Sequence, residues 1–438
     1  MSVDTIPAEL LAEIFRASLD DVPISPHTAP LLVTRVSKKW RQVALSDSFL
    51  WACLSISITP TDCSSILALW LACSASQPLS ITLHIDPFAH LAPKTRDIAH
   101  TVFQLLAGAS DRWHRLSVVL PGSHQLFASL CSAATHAPNL HSLSLKLGNW
   151  SAEEAWDLNA LLQRAPAVRA LTWSNRCSWG TWDSPFDSGV EHLTVSWANL
   201  THILLDTWIT LKSTLYILRQ CTSVVSLDLR HFSSGHELLE ADDPSRGDII
   251  HLPHLQSLSI YQLKLDNGPA ALFDRLLCPA LHAFNFTCGF VERVSWPQAA
   301  FHSFLTRSVC TLRSLMLEFT GISEDQLIQC LTHSSASLER LEVYDARGDI
   351  CVGDAFLDML RVQTDADAPV NSFCPNLHTL ILHRVVSCTD GALASALKLR
   401  LAPQQSSVRL CNVDILFSKR FHKSNTLDMH YLQSISEG

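Results

Sequence analysis

The sequence predicts an α/β chain in which an N-terminal module of three helices precedes a repeat solenoid, with a parallel sheet on its concave side and helices on its convex side. Three observations predict it. Residues 6–19 and 31–51 carry apolar residues at helical spacing, an L-x-x-L-x-L pattern keeps returning beyond residue 110, and helical patterns separate its copies. At 438 residues the chain also exceeds what one hydrophobic core usually serves. The expected division is 1–54 helical module, 55–110 connecting segment with a first divergent repeat, 111–400 solenoid, and 401–438 C-terminal cap or tail.

The first helix is IPAELLAEIFRASL, where Leu10 and Ile14 share one face and Leu11, Phe15 and Leu19 repeat at four-residue spacing. Pro7 suits the first turn, where its missing N–H costs nothing, and Glu9 complements the positive end of the helix dipole. After a Pro-rich interruption, Val33, Val36, Trp40, Val43 and Ala44 mark a second amphipathic helix. Its other face is basic, with Arg35, Lys38, Lys39 and Arg41 directed to solvent or to an acidic partner. Ser46, Asp47 and Ser48 break it, and Phe49, Leu50 and Trp51 follow. A bundle this small cannot bury all of these large side chains alone.

The order Ile6-Pro7-x-Glu9-Leu10-Leu11-x-x-Ile14-Phe15, then Val33-x-x-Val36-Ser37-x-x-Trp40-Arg41-x-x-Ala44, then Leu50-Trp51 resembles the F-box pattern over about a tenth of the chain. That resemblance implies docking to a Skp-type adaptor, which in turn holds cullin and RING subunits. It places Pro7, Leu10, Leu11, Ile14, Val36, Trp40 and Leu50 at positions that form the adaptor-facing surface or support it directly. The connection from Asp20 to Pro30 departs from the pattern, being longer and richer in proline. The alternative is a helical cap that only seals the end of the following domain.

Copies of the repeat pattern are Trp113, Leu116, Val118; Leu140, Leu143, Leu145; Val168, Leu171, Trp173; Val190, Leu193, Val195; and Val224, Leu227, Leu229. They continue as Leu255, Leu258, Ile260; Leu281, Phe284, Phe286; Leu312, Leu315, Leu317; Leu338, Leu341, Val343; and Leu377, Leu380, Leu382. Successive first positions lie 22 to 39 residues apart. Leucine-rich repeats run about 20–29 residues, so these are irregular, loop-expanded members of that class. Helical patterns fall between, at Leu158, Leu161, Leu162; Leu272, Leu276, Leu277; Leu327, Leu331; and Phe356, Leu357, Leu360. Proline recurs just before the strands, in APNL, APAV, LPHL, CPAL and CPNL, because it cannot continue a helix and forces the chain to extend.

Within each strand the leucines point to the core and the residues between them face the concave surface. Early repeats offer hydroxyls there, such as Ser142, Ser144, Thr172, Thr194 and Ser196. Later ones offer larger or charged groups, among them Asp228, Asn285, Glu318 and Glu342. Arg230, Tyr261, Arg340, Tyr344 and His383 are the candidate substrate-binding residues, and solvation of the sheet is the plainer role. Seven of the twelve tryptophans fall between Trp150 and Trp208. Trp179 and Trp182 lie outside the repeat strands, either as interface anchors or packed beneath an expanded loop. Glu237 to Asp243 reads as an exposed acidic loop.

Composition excludes several roles. Charged residues are 17% against roughly 25% in typical domains, apolar residues are 47%, and the net charge is −9. Lys and Arg are scattered rather than aligned along one face, so no nucleic-acid partner is expected, and Lys419, Arg420, His422 and Lys423 read as a solvated tail. The longest apolar stretch, Ile66 to Cys73, is far too short to span a membrane. The N-terminus carries Asp4, Glu9 and Glu13, unlike a secretory signal, and the fourteen cysteines include no Cys-x-x-Cys pair. A reduced protein of the cytoplasm and/or nucleus is expected, in which the sequons at Asn149, Asn199 and Asn285 carry no sugar.

No G-x-S-x-G, G-x-x-x-x-G-K or G-x-G-x-x-G occurs, nor any zinc-type His or Cys spacing. His141, His282 and His378 recur at one repeat position, which reads as inheritance of a unit rather than a ligand set. No catalytic residue, cofactor or metal is expected. The functional expectation is a substrate receptor of a Skp-cullin-F-box type ubiquitin ligase, with a protein substrate on the repeats. The alternatives are a leucine-rich-repeat scaffold without a ligase role and, from another class, a hydrolase assembling His, Ser and Asp.

Overall fold

The computed structural model describes residues 6–19, 24–25, 27–85, 93–120, 124–134, 136–147, 152–175, 193, 195–233, 248–262, 267–289, 296–345, 350–361, 373–401, 409–418 and 425–436. They form two compact units, 1–208 and 209–438.

The first unit opens with α1 (Ala8–Ala17) and α2 (Lys38–Ser46), flanked by 3-10 turns at Val33–Arg35 and Ser48–Trp51. The stretch expected as one second helix is broken because Ser37 adopts extended backbone and its Oγ accepts the Trp40 N–H at 3.2 Å. A serine N-cap therefore restarts the chain as α2. Leu11, Phe15, Val43, Ala44, Leu50 and Trp51 form the core of this module.

Beyond it, strands alternate with helices: β1 (Cys53–Ile58), α3 (Ser64–Cys73), β2 (Leu79–Ile85), α4 (Pro93–Ala107), β3 (Trp113–Leu120), α5 (His124–Ala133), β4 (Ser142–Leu147), α6 (Ala152–Gln163), β5 (Ala170–Asn175) and β6 (His202–Thr210). Each strand from β1 to β5 pairs in parallel with the next. Parallel neighbours need a crossover, and the helices supply most of them.

The second unit repeats the scheme. Its elements are α7 (Leu211–Leu218), β7 (Ser226–Ser233), β8 (Ile250–His251), β9 (Ser257–Gln262), α8 (Gly268–Phe273), β10 (Leu276–Leu277), β11 (Ala283–Cys288), α9 (Gln298–Ser308), β12 (Ser314–Glu318), α10 (Glu324–Ser334), β13 (Arg340–Tyr344), α11 (Asp354–Leu360), β14 (Thr379–His383), α12 (Ala392–Leu401), β15 (Asn412–Leu416) and α13 (Thr426–Ser436). Strands β7, β9, β11, β12, β13, β14 and β15 are parallel neighbours in that order. The solenoid is thus written in strand registers: the leucines of one repeat stand beside those of the next, as Leu258, Phe284, Leu315, Leu341 and Leu380 do.

Two local expectations change. Leu193, Val195 and Ser196 are not in a strand, and the rest of the expected copy at 190–194 lies outside the described residues. The strand is β6, opened by Leu200-x-x-Ile203-x-Leu205, whose three side chains are buried. Leu276 and Leu277, expected in a helix, instead pair with Ile250 and His251. The same motif also opens β1 as Trp51-x-x-Leu54-x-Ile56 and β15 as Leu410-x-x-Val413-x-Ile415.

Charged side chains join neighbouring repeats at both ends of their helices. At the C-terminal ends, Arg112 reaches Leu71 O of α3 and Ser74 and Ala75 O just beyond it, Arg164 reaches Cys131 O of α5 and Ala134 O just beyond it, and Arg307 reaches Phe273 O of α8 and Leu276 O of β10. At the N-terminal ends, Glu324 accepts from the N–H groups of Gly353 and Phe356, both at 2.8 Å, and Asp428 from those of Gly391 and Ala394 at 3.0 and 2.7 Å. Cations thus meet the carbonyl end of the helix dipole and carboxylates the amide end.

Candidate adaptor and partner-binding surfaces

On α1, Pro7, Leu10 and Ile14 fall at spacings of three and four and therefore line one face. That face is open to solvent: Leu10 is 56% exposed and Ile14 48%. Val36, at the end of the first 3-10 turn, is 56% exposed, and Phe49 in the second is 58% exposed. The adjacent helical face is closed. Leu11 and Phe15 are buried, and the Phe15 ring lies 4.9 Å from the half-buried Trp40.

The seven residues expected at or behind an adaptor surface therefore divide. Pro7, Leu10, Ile14 and Val36 are exposed, Trp40 is half-buried behind them, and Leu11 and Leu50 are core. Phe49 and Leu32, also exposed, were missed. Their signal was available, since neither fits the apolar stripe that fills the module's core. Arg16 joins Asp47 at 3.0 Å and stands 5.5 Å over the Phe49 ring, so α1 and the second 3-10 turn are held together.

Trp51 belongs to the repeats as much as to the helices. Its indole N–H donates to Ala44 O at 2.8 Å, and its ring meets Trp70 of α3 edge-on at 5.1 Å. Trp113 makes the same bond seven residues back, to Leu106 O. The long connection between the helices also has a place in the sheet: the Ile24 N–H donates to Ser55 O of β1 at 2.7 Å. Asp20 to Pro23 and Pro26 lie outside the described residues.

The sheet face turned away from the helices carries different residues in the two units. In the first, Ser55, Thr82, Ser117, Ser144 and Thr172 stand in register as a row of hydroxyls. In the second, one row runs Arg230, Tyr261, Thr287, Glu318, Tyr344, His383 and Leu416, and the row beside it runs Asp228, Ser259, Asn285, Met316, Glu342, Ile381 and Asp414. Four of the five candidate substrate-binding residues thus share one row, and Arg340 lies in a third.

No protein-family profile matches the chain, and no curated protein sequence matches it. Among solved structures, the crystal structure of the Rad7 and Elc1 complex in yeast is similar at 12% identity, with 94% of this chain and 93% of that chain covered and a TM-score of 0.31. A score that low carries no argument about function, and the solenoid stands on the chain's own strand registers.

The polar groups of the second unit's open face are tied to one another. Arg230 bridges Asp228 at 3.1 Å, Asn285 donates to Ser259 Oγ at 3.0 Å, and Thr287 donates to Glu318 at 3.2 Å. Arg340 bridges Glu342, which also accepts the Tyr344 hydroxyl at 2.6 Å. Burial and the Glu342 carboxylate push the Tyr344 phenol well above its ordinary value, so it remains a donor. The Tyr344 ring meets His383 edge-on at 5.0 Å, and His383 Nε2 lies 2.9 Å from Asp414. A connected polar network therefore crosses β13, β14 and β15.

Among the described residues no group of three or more His, Cys, Asp or Glu side chains is placed to hold a metal ion, and no helix is long and apolar enough to cross a membrane. Trp179, Trp182, the segment Glu237 to Asp243, Asn149, Thr194 and the basic run Lys419, Arg420, His422 and Lys423 lie outside the described residues.

Proposed function

We propose that the chain is the substrate-recognition subunit of a Skp-cullin-F-box type ubiquitin ligase. Residues 1–54 would dock a Skp-type adaptor, and through it cullin and RING subunits, while the repeats hold a protein substrate. Catalysis then belongs to partner enzymes, and this chain supplies proximity. A cytoplasmic or nuclear setting goes with that reading.

The observation that carries it is the pair of faces on α1. The module's own core occupies the buried face, through Leu11, Phe15 and Leu50, and Trp51 carries that core onto α3 of the first repeat. It leaves Leu10, Ile14, Val36 and Phe49 in water, where a cap has no use for them. Covering four such side chains contributes about 1.5–3 kcal/mol each, against association costs of about 4–15 kcal/mol. A stable but separable complex is the expected balance.

The burial pattern also chooses the test. Leu10→Asp with Ile14→Asp changes only exposed positions, so the variant should keep its melting temperature and lose co-purification with the adaptor. Retained co-purification in a folded double variant would return the module to the scaffold reading, in which the helices only cap the solenoid.

A further inference from the structure

The network on β13, β14 and β15 leaves a specific charge imbalance. Arg340 is already engaged by Glu342. Glu318 accepts only the neutral Thr287 hydroxyl, and Asp414 meets only His383, among the described residues. Two carboxylates without a permanent cation therefore flank Tyr344 and His383. Glu318 is Tyr344's register partner on one side and His383 its partner on the other, with Asp414 one strand further and one row across. Arg384 follows β14 and lies beyond these rows.

Tyr344 is half-buried, and its orientation is fixed by the bond to Glu342 and the edge contact with His383. A ring held in that way, between carboxylates, suits a cation, which gains both charge complementarity and attraction to the aromatic face. Met316 and Ile381 are in the neighbouring row and offer half-buried apolar ground beside it. Because the network is formed within the protein, little side-chain freedom is lost on binding.

We infer that the open face of β12 to β15 binds an extended substrate segment through an Arg or Lys side chain seated on Tyr344 between Glu318 and Asp414. This rests on the receptor reading above and names the chemistry of its cargo: a basic peptide segment rather than an acidic or phosphorylated one. Tyr344 and the two carboxylates make the contact, and Arg340 acts as a positioning residue through Glu342.

The test uses the full chain and two labelled peptides, one alternating Arg with Val and the other with Glu in place of Arg, followed by fluorescence anisotropy. The Arg peptide should bind and the Glu peptide should not. Glu318→Gln with Asp414→Asn should weaken the Arg peptide roughly tenfold, the scale of one lost charge contact. Asp325→Asn with Asp358→Asn, which removes the same charge from α10 and α11, should change it less than about twofold if net charge alone is not the cause. Tyr344→Leu should weaken binding and Tyr344→Phe should largely preserve it.

Equal losses in the two double variants, or tighter binding of the Glu peptide, would overturn the inference. So would a dimer of this chain that disappears in Glu318→Gln with Asp414→Asn, because the face would then belong to a second copy. Adaptor co-purification is measured on the same proteins. Absent peptide binding with the adaptor retained defeats only this inference, whereas lost adaptor binding in Leu10→Asp with Ile14→Asp bears only on the docking module.

Discussion

Asp428, fully buried on α13, reaches back to accept the Ala394 N–H at 2.7 Å and so caps α12, the helix before its own. It also accepts from the Gly391 N–H and from the Asn425 amide. Asp428→Ala would take this acceptor from the Gly391 and Ala394 N–H groups at the start of α12, while the Asn425 amide keeps Cys388 O, at about 1–3 kcal/mol for an unsatisfied group. A fall in the urea midpoint at unchanged slope is the expected result. No change would mean that water reaches α12 in place of the carboxylate.

The buried and exposed faces of α1 should separate in one comparison. Leu11→Ala removes a fully buried side chain and should cost about 2–5 kcal/mol, while Leu10→Ala should stay within about 0.5 kcal/mol. Thermal melts of the two variants check it. Equal destabilisation would contradict the division of the helix into a buried and an exposed face.

Asp354 is a pH-sensitive contact. The hydroxyl and N–H of Thr389 donate to it at 2.6 and 2.8 Å and hold its carboxyl below the ordinary value of 3.8. A carboxylate lowered in the folded state contributes stability that is complete above the unfolded value and lost as pH falls through the folded one. Asp354→Asn should therefore melt below the wild type at pH 7, with a gap that narrows as the pH is taken below 3.8. A gap independent of pH would assign the loss to geometry rather than charge.

The cysteines should react in an order set by burial. Burial pushes the thiols of Cys221 and Cys278 up to about 12 and those of Cys330 and Cys374 to about 11, while Cys53 and Cys411 are exposed. Because the thiolate is the nucleophile, brief alkylation of the native protein at pH 8 should label Cys53 and Cys411 and spare the other four. Mass mapping checks it, and early modification of Cys278 or Cys374 would mean that the repeats open locally.

The bond from Ile24 to Ser55 predicts a role for the long N-terminal connection. A strand at the margin of a sheet exposes backbone groups that recruit other chains. Ile24→Pro removes the donor and should increase self-association in size-exclusion chromatography at unchanged helix content. A monomer indistinguishable from wild type would show that the bond does not guard the edge.

The repeat strands were legible because one apolar period governs both the sequence and the buried face. Leu258, Leu315 and Leu380 could be read directly. The strand expected at 190–195 stands differently for a related reason: Val190, Leu193 and Val195 satisfy the pattern by letters, yet Leu200, Ile203 and Leu205 satisfy it too, and it is their segment that pairs with β5, while Leu193 is buried outside any strand. Periodicity gives candidates, and pairing with the neighbouring strand chooses among them. Trp51 and Leu410 open repeats by the same period, Trp51 with Leu54 and Ile56 and Leu410 with Val413 and Ile415. On the N-terminal module, period alone could not tell Leu10 from Leu11, since adjacent apolar residues widen the stripe until only packing says which half is covered. The partnership of Arg340, Glu342, Tyr344, His383 and Asp414 was out of reach, because it depends on the register of three strands between 340 and 416.

The charged caps between repeats also limit how this protein can be shortened or lengthened. Glu324 serves a helix about thirty residues further along, so a cut placed between α10 and α11 strips the α11 N-terminus of its carboxylate and leaves that carboxylate without its amides. Deletions that respect a whole period from one cap to the next should be tolerated better than those of equal length that straddle it. Unfolding should likewise spread between neighbours, with hydrogen exchange in α10, α11 and α12 rising together under mild denaturant.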